Sequence, residues 1–335
     1  MKIDGFDLDE KVFVIAEIGN NHEGDFSVAQ EMVAHAAETG ADAVKFQTFI
    51  PEHYVSASDV VRLERLRKFQ LSREQFAQLA RQAKSLELVF FSTPFDLPSA
   101  QFLDAIQPLF KIASGDNNFY PLIETVAGLK KPMIVSTGLA DMKLLTEVRR
   151  RIRAIWGPSD PGLAFLHCVA SYPVPPEQAN LAAIPALARE FPDVTVGYSD
   201  HTLGIDAAVM AVAAGARIVE KHFTLAKNYS DFRDHQLSAD PSDMKALVAR
   251  IREVSAMMGK KEKIPQDCEE ALRGAVRRSI AASRRLPAGT VLGVADITWV
   301  RPGGGIAPGE EESVLGKKLN RAFNQGEVFD PADLG

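Results

Sequence analysis

Two histidines, His201 and His222, each follow a short apolar run that is typical of a β-strand. The apolar segment between them, 205–214, is long enough for one helix, so the two strands would be parallel neighbours whose ends bring the imidazoles together. Neutral imidazoles suit a divalent transition metal. Three flanking polar residues could act as further ligands, support the ligands or contact a substrate: Ser199, Asp200 and Glu220. The alternative is that two of seven histidines lie near strand ends by chance.

The composition describes a large folded chain with a mild acidic bias. It has 335 residues, 46% of them apolar and 24% charged, enough for one large domain and a small one. A net charge of −6 argues against general nucleic-acid binding, but allows a local basic pocket for an anionic substrate. With two cysteines, no exported N-terminal leader and no run of 18 apolar residues, we expect a cytoplasmic protein that does not bind membranes.

The elements that must position the histidines repeat in a regular rhythm. Eight strand-like runs alternate with helical segments over about 260 residues, which is the length and order of a (β/α)8 TIM barrel. An open doubly wound sheet would have fewer strands and a glycine-rich first turn, which this chain lacks. The fold class predicted is therefore α/β, with the two histidines after the seventh and eighth strands.

Polar side chains cluster where these strands end, which is where TIM barrels carry their reacting groups. Eight different strand–helix units contribute them: Glu17, Lys45 with Gln47, Ser92 with Thr93, Lys111 with Ser114, Ser136 with Thr137, Tyr172, Ser199 with His201, and Glu220 with His222. Taken alone, Lys45 or Lys111 could equally form a structural salt bridge. Together, the lysines and short hydroxyls predict a cradle for phosphate or carboxylate.

The alternation of side chains along the eighth strand separates two adjacent charged residues. Glu220 and His222 share a face with Ile218, whereas Lys221 points to the other face with Val219. We therefore expect Glu220 to face the site and Lys221 to form an outer ion pair.

The last part of the chain changes in character. Residues 261–274 are polar and without apolar periodicity, which predicts a linker between a barrel at 1–260 and a module at 275–335. That module has short strand-like runs separated by turns rich in proline and glycine, which predicts a compact β-rich fold.

Seven segments, in order, resemble the sialic acid synthases, which condense phosphoenolpyruvate with an N-acylated amino sugar such as N-acetylmannosamine. They are Ala16-Glu-Ile-Gly-Asn-Asn-His-Glu-Gly-Asp, Gly40-Ala-Asp-Ala-Val-Lys-Phe-Gln-Thr-Phe, Phe110-Lys-Ile-Ala-Ser-Gly, Ser136-Thr-Gly, residues 168–175, Gly197-Tyr-Ser-Asp-His-Thr-Leu-Gly and Glu220-Lys-His-Phe-Thr. The C-terminal module resembles the antifreeze-like (SAF) domain that ends these synthases. The resemblance implies the same barrel, the same module and a metal-dependent condensation that releases phosphate and forms a nonulosonic acid.

The resemblance also implies a role for each site residue. His201 and His222 would ligate Mn²⁺, with Mg²⁺ or Co²⁺ as alternatives, so that the metal polarises the sugar aldehyde. Glu17 would act on water or a proton beside the metal. Phosphoenolpyruvate would be held by Lys45, Lys111, Ser114, Ser136 and Ser199. The sugar would be contacted by Gln47, Tyr172, Glu220, Asp234 and Arg301.

Arg301 matches an arginine that reaches into the barrel of a partner subunit, which implies a domain-swapped homodimer. This chain has Gly304 where the family turn has asparagine, and a turn arginine on a small domain is the alternative. Asp234 stands in Ser230-Asp-Phe-Arg-Asp-His in place of the usual Gly-Pro-Asp-His, and Val169-Ala-Ser171 replaces a loop with asparagine. These departures lie on the sugar side, so the acceptor stays open among N-acetylmannosamine, diacetamido hexoses and related sugars.

Two other functions remain as alternatives at this point. Lys45 or Lys111 could be the Schiff-base lysine of an aldolase built on the same barrel. The chain could also be a non-catalytic carbohydrate-binding protein that displays its antifreeze-like module.

Overall fold

The computed structural model describes residues 1–260 and 262–335 and divides into two compact units, Met1–Gly259 and Lys260–Gly335. The first unit opens with a hairpin of β1 (Lys2–Ile3) and β2 (Phe6–Asp7). Eight parallel strands follow: β3 (Phe13–Gly19), β4 (Ala43–Thr48), β5 (Val89–Pro94), β6 (Phe110–Ile112), β7 (Met133–Ser136), β8 (Leu163–Cys168), β9 (Thr195–Asp200) and β10 (Ile218–His222).

These eight strands form one sheet in the order β5-β4-β3-β10-β9-β8-β7-β6. Pairing of the first strand, β3, with the last, β10, curls the sheet around itself, and β5 and β6 at the two ends of this order lie side by side. The predicted TIM barrel is confirmed.

Helices connect the strands and cover the outside of the sheet. They are α1 (Phe26–Glu38), α2 (Pro51–Tyr54), α3 (Val60–Phe69), α4 (Arg73–Ser85), α5 (Leu97–Leu103), α6 (Tyr120–Gly128), α7 (Met142–Trp156), α8 (Ala183–Glu190), α9 (Asp206–Ala213), α10 (Asp234–Leu237) and α11 (Pro241–Met258). Sequence analysis does not predict α2, α3 or α10. For α3 a signal exists, because the buried side chains Leu63, Leu66 and Phe69 recur every three residues and Asp59 caps its N-terminus.

The barrel interior is layered from an apolar floor to a polar top. Its floor is a buried cluster that includes Phe13 and Ile15 of β3 and Ile134 of β7, and it is closed from below by Ile3 of the hairpin. Inward side chains higher on the same strands are polar, because every second residue of a strand faces the same side. Gly197 is needed in this interior, since a Cβ there would lie 2.5 Å from the Ile218 carbonyl oxygen.

Outward-facing strand residues pack under the helices in two large apolar clusters. One charged pair lies among them: the Lys221 ammonium is 2.8 Å from Asp200 Oδ2 and also donates to the Thr202 carbonyl, and both charged side chains are at most 1% exposed. The predicted outer ion pair of Lys221 is confirmed. Asp200, which sequence analysis considered for the site, instead faces outward to form this pair.

The second unit contains α12 (Glu270–Val276) and the antiparallel strands β11 (Ser279–Ala282) and β12 (Ile297–Val300). Its own apolar cluster is built around residues such as Ile280, Val314 and Phe329. The segment 261–274, predicted as a linker, includes residue 261, which lies outside the described residues, and most of α12, residues 270–274. Among the described residues, no helix combines the length and apolarity needed to cross a membrane.

Replacing Lys221 by Met should lower the free energy of unfolding of the barrel by about 3–5 kcal/mol, because it leaves the Asp200 carboxylate buried without its cation. Chemical denaturation followed by circular dichroism measures the change. Lys227→Met is the control, since Lys227 pairs with Asp243 at a half-exposed site and should cost about 1 kcal/mol or less. Equal losses in the two variants would contradict the prediction.

Candidate active site

A cavity of about 750 Å³ opens at the carboxyl ends of the barrel strands. It is lined by twelve residues to which the resemblance gives a role: Glu17, Lys45, Gln47, Lys111, Ser114, Ser136, Tyr172, Ser199, His201, Glu220, His222 and Asp234. Arg301 belongs to the second unit. Thr93 also lines the cavity, whereas three other predicted strand-end residues do not: Ser92, Thr137 and Asp200. Residues from β3, β4, β6, β7, β9 and β10 thus converge on one space although they are far apart in sequence.

Glu220 is the carboxylate that links the two buried lysines. Its Oε2 lies 3.6 Å from Lys45 Nζ, and its Oε1 lies 3.5 Å from Lys111 Nζ. The Ser199 hydroxyl donates to Oε1 at 2.9 Å. Burial alone would raise the pKa of Glu220, but the charges of Lys111 and Lys45 outweigh burial and hold its pKa at about 2. Glu220 is therefore ionised at neutral pH and compensates part of the lysine charge.

Each lysine also donates to a hydroxyl. Lys45 Nζ is 3.1 Å from Thr93 Oγ1, and Lys111 Nζ is 2.7 Å from Ser136 Oγ. Ser114 lies nearby, and its hydroxyl accepts from the Gly138 amide at 3.1 Å. Two ammonium groups, each beside a short hydroxyl, can bind two anionic groups by charge-assisted hydrogen bonds.

The pKa of Glu17 shifts in the opposite direction from that of Glu220. Its Oε2 is 2.8 Å from Lys45 Nζ, and its Oε1 accepts from Gln47 Nε2 at 3.3 Å. Burial is the largest influence and, although Lys45 opposes it, raises the pKa of Glu17 to about 7. A carboxyl with this pKa can both give and take a proton near neutral pH. With Glu17 only partly ionised, the lysine cluster has an excess of positive charge that favours an anionic ligand.

The two histidines lie together beside this cluster, with ring centroids 5.5 Å apart. The Val169 carbonyl is 2.9 Å from His201 Nδ1, so Nδ1 carries the proton and the lone pair of Nε2 is free. His222 Nδ1 is buried without a hydrogen-bond partner. Burial, with the nearby charges of His201 and Lys45, lowers the pKa of His222 well below its usual value and keeps it neutral.

Burial opposes a charge on His201, but its contacts with Cys168 and the Val169 carbonyl outweigh burial and raise its pKa. The pair can supply two imidazole nitrogens to a divalent ion, which would compete with the proton on His201. Among the described residues, no group of three or more His, Cys, Asp and Glu side chains could hold a metal. An ion at this pair would therefore need oxygen ligands from water or substrate, which leaves positions open for chemistry.

Other lining residues escape the sequence analysis. Cys168 Sγ lies 3.7 Å from His201 Nδ1, and Asn20 Nδ2 donates to Gln47 Oε1 at 2.7 Å. Three arginines also line the cavity: Arg62 and Arg65 of α3, and Arg233 in the loop after β10. The alternation of side chains along the strands says nothing about these arginines, because they lie on a helix or in a loop. Recognising α3 from its sequence would have pointed to Arg62 and Arg65, but not to Arg233.

Replacing Glu220 by Gln should destabilise the barrel by about 3–5 kcal/mol, because two buried ammonium groups lose the carboxylate between them. Added inorganic phosphate should raise the melting temperature of this variant more than that of the wild type, since the anion replaces the missing charge and binds only the folded protein. Differential scanning calorimetry over a series of phosphate concentrations measures both effects. Glu253→Gln, on the exposed face of α11, should match the wild type. Equal phosphate responses of the Glu220 variant and the wild type would refute this account.

Comparison with known proteins identifies the family. Residues 32–263 match the NeuB family model, and residues 277–335 match the SAF domain model. N,N'-diacetyllegionaminic acid synthase of Legionella pneumophila is 39% identical over 94% of this chain and 92% of its own length. Human N-acetylneuraminate-9-phosphate synthase is 34% identical over 92% of this chain and 88% of its own.

A solved structure agrees with these relatives. The N-acetylneuraminic acid synthetase of Leptospira borgpetersenii, crystallised with citrate, superposes with a TM-score of 0.74 at 32% identity, covering 78% of this chain and 90% of that one. The predicted resemblance and the C-terminal SAF domain are confirmed, and the alternative of a non-catalytic binding protein is wrong. The chain belongs to the NeuB family and is an enzyme of the acid-synthase type found among its relatives.

Proposed function

We propose that this enzyme condenses phosphoenolpyruvate with an N-acylated amino sugar, N-acetylmannosamine or a relative, to give a nonulosonic acid and phosphate. One observation carries the proposal: two buried lysine–hydroxyl pairs lie in the same cavity as a pair of histidines. Phosphoenolpyruvate has two anionic groups, a phosphate and a carboxylate, which these pairs suit. The sialic, legionaminic and pseudaminic acid synthases among its relatives support the same reaction class.

In the reaction we infer, C3 of phosphoenolpyruvate attacks the aldehyde carbon of the open-chain sugar and forms the new C–C bond. Water adds to C2, and phosphate then leaves with cleavage of the C2–O bond. The added water gives up both of its protons as C2 becomes a carbonyl: one goes to the aldehyde oxygen, which becomes a hydroxyl, and the other leaves with the phosphate. A divalent ion bound by His201 and His222, which we expect to be Mn²⁺, would polarise the aldehyde as a Lewis acid.

The protein's own side chains have three tasks in this scheme. Lys45 and Lys111, with Thr93 and Ser136, hold the anionic donor in register with the aldehyde. Glu17, whose pKa burial raises to about 7, handles the proton of the attacking water. Sugar contacts are assigned to Gln47, Tyr172, Glu220 and Asp234.

The Schiff-base alternative has one observation in its favour. Burial lowers the pKa of Lys111, which increases the fraction of neutral amine. Borohydride added with either substrate would trap a covalent adduct on such a lysine. We expect no adduct, because the ammonium of Lys111 is needed to bind an anion.

Chelator treatment should abolish phosphate release from phosphoenolpyruvate plus an N-acyl hexosamine, and Mn²⁺ should restore it, because the aldehyde is not electrophilic enough without the ion. A panel of N-acetylmannosamine and diacetamido hexoses, read out by phosphate release, identifies the acceptor. Release that persists at full rate in chelator would refute the metal-dependent reaction. His201→Ala and His222→Ala should behave like the chelated wild type, and His53→Ala, on α2 outside the cavity lining, should retain activity.

We further propose a domain-swapped homodimer in which Arg301 of each chain contacts the sugar bound by the other. A mixed dimer of Arg301→Ala and His222→Ala chains, purified through two different tags, then has one intact site and should show about half of the wild-type activity. Each variant alone should be nearly inactive. A mixed dimer as inactive as its parents would show that Arg301 does not act across the dimer.

A further inference from the structure

Three arginines form a cationic rim around the entrance of the cavity, distinct from the buried lysines. Arg62, Arg65 and Arg233 line the same space as Lys45 and Lys111, but their side chains are exposed. Lys45 and Lys111 are only 3% and 2% exposed. A ligand that touches both sets must therefore extend from the barrel interior to the entrance.

One of these guanidinium groups contacts a tyrosine that also lines the cavity. Arg62 Nη2 donates to Tyr54 Oη at 3.3 Å, and the Arg62 guanidinium is 5.1 Å from the Tyr54 ring centroid. Burial is the largest influence on the Tyr54 phenol and raises its pKa, so the Arg62 guanidinium lies against a neutral ring.

Arg233 also lies close to the histidine pair. Its guanidinium lies 4.8 Å from the centroid of the Tyr172 ring, and that ring lies 4.2 Å from the His201 ring. Only one aromatic ring separates Arg233 from His201. A sugar whose aldehyde lies at the histidines and whose far end reaches the entrance would therefore meet the arginine rim.

The rim has more cationic than anionic charge. Among the described residues, neither Arg62 nor Arg65 has a carboxylate within ion-pair distance; Arg233 contacts Asp234 at 3.3 Å. Two further carboxyls line the cavity, Asp116 and Asp234; burial raises the pKa of each, that of Asp116 to about 6, so three guanidinium groups face at most two carboxylates. An anion at the rim would meet uncompensated guanidinium groups, whose planar fork suits phosphate and carboxylate.

On the basis of the proposed function, the donor's two anionic groups are already assigned to the two lysine–hydroxyl pairs. We propose that the acceptor sugar carries its own anionic group, a phosphate or a carboxylate, at the end away from its aldehyde, and that Arg62, Arg65 and Arg233 bind it. These arginines then determine specificity for a charged acceptor over a neutral one.

The test compares N-acetylmannosamine with its 6-phosphate and with the corresponding 6-carboxylate, N-acetylmannosaminuronic acid, in the full-length enzyme with Mn²⁺. We expect one of the charged sugars to have a kcat/KM at least tenfold above the neutral sugar, and their ratio tells phosphate from carboxylate. In Arg62→Ala/Arg65→Ala, KM for that sugar should rise about 10- to 100-fold, as expected for loss of hydrogen bonds to a charged group. KM for phosphoenolpyruvate and for the neutral sugar should stay the same.

Arg67→Ala is the matched control. Arg67 lies on the same helix but pairs with Glu52 and Glu64 outside the cavity, so its loss should leave all three Michaelis constants unchanged. Arg62→Lys/Arg65→Lys should recover part of the affinity, because charge is kept and the fork is lost.

Three results separate this inference from the function on which it rests. The inference of an anionic acceptor would be overturned if neutral and charged sugars had equal kcat/KM. It would also be overturned if the double variant had a raised KM for phosphoenolpyruvate. Neither result would contradict the proposed synthase reaction. Absence of phosphate release with every sugar would refute the proposed function instead. In that case, isothermal titration calorimetry tests whether the arginines bind an anionic sugar. Binding of the 6-phosphate or the uronic acid to the wild type but not to the Arg62→Ala/Arg65→Ala variant would support the inference. Equal binding to both proteins would overturn it.

Discussion

The active-site region depends on the compensation of two buried ammonium groups by Glu220. Lys45 and Lys111 come from β4 and β6, which are not neighbours in the sheet, and Glu220 of β10 contacts both. Taking an ammonium group out of water costs several kcal/mol, which the protein recovers only by placing opposite charge and hydrogen-bond acceptors around it. Because this compensation is partial, the cluster keeps a positive field in the barrel interior. The same arrangement therefore stabilises the empty barrel and attracts an anion.

The layering of the barrel makes this cluster effective. The apolar floor of Phe13, Ile15 and Ile134 and the hairpin beneath it seal the barrel from below, so the lysines face ligand from above only. In such a low-dielectric setting each ion pair is stronger than it would be at the surface, and a proton-transferring group can have a pKa far from its solution value. Glu17 and Glu220 illustrate this, since two carboxyls on adjacent strands have opposite shifts. Glu220 contacts two lysines, whereas Glu17 contacts one and is dominated by burial.

Cations of two kinds occupy the two depths of the cavity. Lysine, a compact point charge, lies at the bottom beside hydroxyls, and arginine, with its wide planar fork, lies at the entrance. A small dianionic or trianionic donor suits the lower position, and a longer acceptor suits the path from the histidines past Tyr172 to the rim. The proposed charged acceptor follows from this difference in depth, and from the three arginines of the entrance facing only two carboxyls, Asp116 and Asp234.

The sequence by itself determined the barrel and most of the lining of its cavity, because both depend on local alternation. Period-two patterning along strands of β/α units decides which side chains face inward, and it correctly separated Glu220 from Lys221. It could not determine pairwise contacts across the barrel. Only the tertiary structure decided that Glu220 joins two lysines, that Asp200 turns outward to Lys221, and that Arg62, Arg65 and Arg233 meet at one entrance. These contacts are set by the curvature of the closed sheet and by the course of α3 and the loop after β10, which no periodicity in the chain encodes.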